Sequence, residues 1–152
     1  MRVSAKTDYA LRAAVELAAA PDGATVKGER LATSQSIPLR FLENILLQLR
    51  HAGIVESRRG AEGGYRLARP AADITLADVI RAIDGPLAGV SGARPETLDF
   101  KGASEPLREV WVAVRASLRS VLEQVTLADV VARELPEHVR EMLGDEDAWV
   151  SH

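Results

Sequence analysis

Arg40, Glu43 and Asn44 stand within five residues of one another, and a second polar group follows at Ser57-Arg58-Arg59-Gly60. Spacings of three and four put Arg40, Glu43, Asn44, Leu47 and His51 on one side of a helix. A guanidinium, a carboxylate and a carboxamide side by side form a donor and acceptor set for reading base edges. Arginine takes guanine or a phosphate, glutamate accepts from cytosine N4, and asparagine pairs with adenine. Arg59 lies at the tip of the turn Arg-Arg-Gly-Ala-Glu-Gly-Gly, where a guanidinium can enter a narrow, electronegative minor groove. Gln35, Ser36, Ser57, Arg58 and Gly60 are of types that contact phosphates, which positions a protein without specifying sequence. Spacing alone favours a solvated helix face with an i,i+3 ion pair for Arg40, Glu43 and Asn44. The basic turn that follows favours duplex DNA.

The elements that must hold these residues are legible in the surrounding pattern. Ser4 caps a first helix to about Ala20, with Tyr9, Ala10, Ala13, Ala14, Leu17 and Ala18 along one side, and Pro21-Asp22-Gly23 stops it. A short helix over about 27–33 follows, ending near Ser34-Gln35-Ser36. A third runs from about Pro38 to Ala52, with Leu42, Ile45, Leu46 and Leu49 as its buried stripe and Gly53 as a left-handed cap. Residues 54–58 and 64–68 read as paired strands around the glycine-rich tip. Two short helices, a polar-faced third and a basic hairpin are the order of a winged helix-turn-helix.

Beyond Pro70, Thr75-Leu76-Ala77-Asp78 opens a helix to about Asp84. Four glycines and three prolines then make residues 85–106 irregular. Ser104 is expected to cap a long helix to about Val125, along which Leu107, Trp111, Val114, Leu118, Val121 and Val125 recur at alternating intervals of four and three. That is a coiled-coil-like seam roughly 27 Å long. A second Thr-Leu-Ala-Asp at 126–129 opens a further helix to about Leu135; we read the two tetrapeptides as similar caps and not as a fold repeat. An acidic, loose tail is expected from Pro136, except where Trp149 packs.

Charge divides along the same line. Residues 1–70 hold 11 Lys and Arg against 7 Asp and Glu, whereas residues 71–152 hold 8 against 15, within an overall net charge of −3. The basic half coincides with the half that would meet DNA, and local field outweighs the total. Without cysteine, disulfides, zinc ribbons and cysteine-ligated iron–sulfur clusters are excluded. His51, His138 and His152 have no metal-ligand spacing, and there is no nucleophile elbow, phosphate loop or apolar carboxylate pair. The expectation is a protein without metal, cofactor or enzymatic activity. No run approaches the roughly 18 apolar residues of a membrane span, and no signal pattern opens the chain, so a cytoplasmic location is expected.

These residues resemble the Rrf-two family of bacterial winged helix-turn-helix transcriptional regulators, relatives of the iron–sulfur cluster regulator and the nitric-oxide-sensitive repressor. The likeness is carried by the start Met1-Arg2-Val3-Ser4-Ala5-Lys6-Thr7-Asp8-Tyr9-Ala10, by residues 37–44 and 49–55, by the wing 59–65, by 74–80 with Asp84-Gly85-Pro86, and by 125–129. The resemblance implies a homodimer, often a repressor, that binds a palindromic DNA operator and is joined along the long helix. It implies base contacts at Arg40, Glu43, Asn44 and the wing arginine Arg59. At Pro38 the chain departs from the small hydroxyl residue some relatives carry. Several relatives hold a cluster through three cysteines in the loop before the long helix; this chain has none. Asp8 matches a carboxylate ligand of some nitric-oxide sensors, but without sulfur partners it reads as a helix-surface acid.

The expected fold is mainly α with a small β-hairpin wing. Residues 1–84 form the DNA-binding domain, 85–103 a loop, 104–135 dimerisation helices and 136–152 the acidic tail. A small-molecule or protein effector fits these residues. A different class also fits: a protein-interaction module that docks a metabolic enzyme or assembly partner through its acidic half.

Overall fold

The computed structural model describes residues 3–151. Met1 and Arg2 of the family-like start, and His152, lie outside them. Helix α1 spans Ala5–Ala18 and begins where Ser4 Oγ accepts the Thr7 N–H at 3.1 Å. It buries Thr7, Ala10, Ala13, Ala14 and Leu17. Three of these are alanines, small enough for neighbouring helices to approach closely.

Helix α2, Gly28–Gln35, is joined to α3, Leu39–His51, by a turn that explains itself locally. Ser36 is left-handed at φ 53°, the Ile37 N–H donates to Ala32 O at 2.9 Å, and the Ser36 N–H donates to Thr33 O at 3.4 Å. This is a Schellman closure, and Ile37 supplies its apolar contact at 4% exposed. The same closure ends α3 at Gly53, with φ 71° and the Ile54 N–H on Leu49 O at 2.9 Å. The expected stripe Leu42, Ile45, Leu46 and Leu49 is fully buried.

Strands β1, Val55–Arg58, and β2, Gly64–Leu67, pair antiparallel with Val55 opposite Leu67 and Arg58 opposite Gly64. Val26 adds a single-residue third strand, exchanging two 2.8 Å hydrogen bonds with Tyr65. One residue leaves no periodic signal in the sequence.

Helix α4, Leu76–Asp84, and helix α6, Leu127–Ala132, each open with a full capping box, at Thr75 with Asp78 and at Thr126 with Asp129. The two caps meet. The Leu76 N–H donates to Val125 O at 3.0 Å and the Leu127 N–H to Ile74 O at 2.9 Å, an antiparallel bridge between the two Thr-Leu-Ala-Asp openings. Between them lie the 85–106 loop and helix α5, Leu107–Leu122.

Three expectations are corrected by the structure. Ser104 does not cap α5: it sits in a 3-10 turn with its hydroxyl donating to Lys101 O, and Pro106 precedes the helix. The long helix stops at Leu122, so Val125 is not on a seam; it is 2% exposed inside the chain's own core, where its carbonyl serves the cap bridge. In residues 127–132, helix α6 packs on α1 and Leu127 joins the main core. The acidic tail is folded rather than loose. Helix α7, Glu137–Leu143, buries Val139, and His138 Nε2 lies 2.7 Å from Ser120 O of α5. Trp149 itself is exposed, its Nε1 donating to Leu143 O at 2.9 Å.

Candidate nucleic-acid interface

The outward side of α3 carries Arg40, Glu43 and Asn44, all exposed, because its inward side is committed to the four core residues. Arg40 and Glu43 have no hydrogen-bond or ion-pair partner among the described residues, and the ion pair that spacing allowed does not form. Asn44 Oδ1 accepts from Gln48 Nε2 at 2.9 Å, which aligns the amide along the helix surface. Leu47 is 40% exposed on the same side.

The wing is held by its backbone. Gly60 has φ 103°, and a Cβ at Gly63 would fall 2.6 Å from Arg58 O and 2.7 Å from Gly60 O. A Cβ at Gly64, with φ 150°, would meet Val26 O at 2.6 Å. Glycine is therefore required at 60 by its positive φ and at 63 and 64 by close backbone approach. Thr25 Oγ1 donates to Glu62 O at 2.7 Å and secures the tip from the side. Arg50 Nη1 donates to Ser57 Oγ at 3.1 Å, tying the end of α3 to the wing. Arg58 and Arg59 are exposed and unpaired among the described residues.

Helix and wing share one cleft. Glu43 of α3 lines it together with Arg58, Gly60 and Gly63 of the wing and Lys27 at the start of α2. Glu43 of the first sequence group and Arg58 and Gly60 of the second thus face a common space, in which the cations Lys27 and Arg58 are matched in number by the acids Glu29 and Glu43. Gln35 does not join them. It is half-buried, its Nε2 donates to Glu16 Oε1 at 2.5 Å, and its carbonyl accepts Arg12 Nη1 at 3.2 Å, so its bonds run inward to α1. Ser36, next to it, is exposed.

Lys27 was missed in the sequence. It is exposed and directly precedes α2, where a cation and free backbone N–H groups favour phosphate. A lysine just before a predicted helix was the available signal. Asp8, as read from the sequence, is a surface acid, ion-paired with Arg12 one turn on. Arg12 also stacks 4.8 Å from the Tyr9 ring, and Tyr9 meets Phe41 of α3 edge-on at 5.7 Å.

Of the seam residues, Leu107 is 43% exposed, while Trp111, Val114, Leu118 and Val121 are half-buried. Val110, absent from the expected seam, is 51% exposed. No residue of α5 is fully buried in a helix of 16 residues.

Comparison with known proteins agrees with this architecture. The family model for Rrf2, an iron-dependent transcriptional regulator, matches residues 3–133. An HTH-type transcriptional regulator of Mycobacterium tuberculosis is 52% identical over 145 residues, 95% of this chain and 90% of the relative. The structure of CymR, the global cysteine regulator of Bacillus subtilis, superposes with a TM-score of 0.74 at 31% identity, covering 88% of this chain and 98% of that one. IscR of T. potens gives a TM-score of 0.69 at 31% identity over 100% of this chain and 93% of its own. The family's iron raises the question of fit. A cluster held by thiolates needs cysteines, and the sequence has none. Among the described residues no group of three or more His, Asp or Glu is arranged to hold a metal ion. These side chains do not fit the family's usual cluster. With its winged fold, its family match over most of its length and its regulator relatives, the chain belongs to the Rrf2 family of DNA-binding transcriptional regulators, which are not enzymes.

Proposed function

We propose that the protein is a homodimeric repressor that reads a palindromic operator without an iron–sulfur cluster. Arg40, Glu43 and Asn44 enter the major groove, and Arg59 enters the adjacent minor groove. Ser36, Ser57, Arg58, Gly60 and Lys27 hold phosphates. The observation that carries this reading is the shared cleft: Glu43 and the wing tip face one space, and the cations around it lack internal partners. Internal pairing would have to be broken before DNA could be bound; Arg40, Glu43, Arg58, Arg59 and Lys27 have no such ion pair or side-chain hydrogen bond to give up among the described residues.

Dimerisation is assigned to α5. Leu107, Val110 and Val114 form an outward apolar edge, with Trp111, Leu118 and Val121 behind it, and nothing in the chain buries any of them fully. An apolar helix face left this open is stabilised by a second copy, and two copies place two α3 helices on half-sites about one helical turn apart. Repression then follows from operator occupancy.

Genome-wide binding-site mapping tests this, combined with reporter activity from the mapped promoters. Discrete palindromic peaks are expected, with expression rising when the gene is deleted. Uniform low occupancy, or expression falling at every bound promoter, contradicts it.

A further inference from the structure

We propose that the cavity between α4, the loop after it and α5 binds a small anion bearing two or more carboxylate or phosphate groups. The cavity is about 470 Å³, the size of a small-molecule site. Arg81 of α4, Arg94 of the loop, and Arg115 and Arg119 of α5 line it, together with Glu96 and Glu123. No residue of α3 or the wing takes part, so the inference stands apart from the DNA-binding reading.

The charge there runs against its surroundings. Residues 71–152 carry 15 acidic and only 8 basic side chains, yet four of those eight converge on this one cavity. Their internal partners are too few. Arg81 and Arg119 share the single carboxylate of Glu123, the second at 2.8 Å, and Arg115 takes Glu96. The Arg94 guanidinium makes no hydrogen bond or ion pair among the described residues and acts on Glu96 only at longer range. Four guanidiniums face two carboxylates, a surplus of two positive charges.

Both carboxylates remain ionised near neutrality. Glu123 is held below the ordinary glutamate range by hydrogen bonds from Arg119 and then Arg81. Glu96 is held below it by its own backbone N–H and then by Arg115. Protonation therefore does not enlarge the surplus, and it does not remove it either.

Guanidinium forks match carboxylate and phosphate oxygens in pairs, and two such groups balance the excess. Buried Leu87 closes the cavity with an apolar surface, which favours a compact organic or condensed anion over hydrated chloride. Because Arg81 belongs to α4 and the others to the loop and α5, an anion here ties α5 to the DNA-binding body.

Isothermal titration of the full chain at constant ionic strength tests this with two probes, pyrophosphate and citrate. Saturable binding of at least one is expected. Pyrophosphate alone would identify a phosphorylated ligand and citrate alone a polycarboxylate. Arg94→Gln removes the unpaired guanidinium without breaking an internal ion pair, and should weaken binding at least tenfold with an unchanged melting temperature. Arg108→Gln, on α5 but outside the cavity, should bind like wild type. If neither probe saturates below about 10 mM, if Arg94→Gln binds as wild type, or if both variants weaken equally, the proposal is overturned.

Discussion

Helices α3 and α5 are of similar length, 13 and 16 residues, and both are amphipathic, yet they end in opposite conditions. α3 buries four side chains completely, while α5 buries none. The first helix is finished by its own chain, so its remaining side is free to be polar and to wait for a ligand. The second is unfinished, and its remaining side is apolar. Two amphipathic patterns that look alike in a sequence therefore suit different partners: in the function proposed above, one meets nucleic acid and the other a copy of itself.

The largest effect that could break this contrast is on folding. Leu46→Ala in α3, where the side chain is 0% exposed, should cost about 2–5 kcal/mol of stability in a denaturant titration. Val110→Ala, 51% exposed on α5, should cost the isolated protomer less than about 0.5 kcal/mol. Similar losses at both positions would erase the distinction. Next in size, Val110→Glu should shift sedimentation from dimer to monomer and lower operator affinity by about 100-fold or more, because two linked half-sites become one. A dimer unaffected by this charge would move the interface elsewhere.

On the α3 side, Arg59→Ala should weaken DNA binding by roughly 1–3 kcal/mol while leaving the dimer intact, read by gel shift beside sedimentation. Binding equal to wild type would mean that the wing stays out of the groove. The smallest effect sharpens how the two halves are joined. Thr126→Ala removes one of the bridged capping boxes and should cost about 1 kcal/mol, and Thr75→Ala should do the same. Because the caps touch each other, the double variant should cost less than the two single losses added together.

What could be read from the sequence follows from range. Helix α3, its stripe, the Gly53 closure, the wing and both Thr-Leu-Ala-Asp caps rest on signals within four or five residues, and they stand in the structure as read. Long-range pairing was not legible. Nothing in the string says that the two caps bond to each other, so Val125 looked like the last step of a helical repeat when it belongs to the core. Gln35 looked like a polar residue at a helix end; its commitment to Glu16 depends on how α1 crosses α2. The tail's charge suggested disorder, and its few apolar residues, Val139 above all, were enough to dock it. The arginine cavity is invisible in sequence because its members are scattered over 39 positions, from Arg81 to Arg119.

The central claim is that the outward side of α3 and the wing tip read DNA together. A fluorescence polarisation titration of the chain's own upstream promoter across a salt series, for wild type and Glu43→Ala, tests it most directly. Wild type should bind at about 10⁻⁸ M or tighter near physiological salt and weaken steeply as salt rises. Glu43→Ala should keep the salt slope and lose preference for the promoter over random duplex. Micromolar affinity for every duplex, or an unchanged preference in Glu43→Ala, would contradict it.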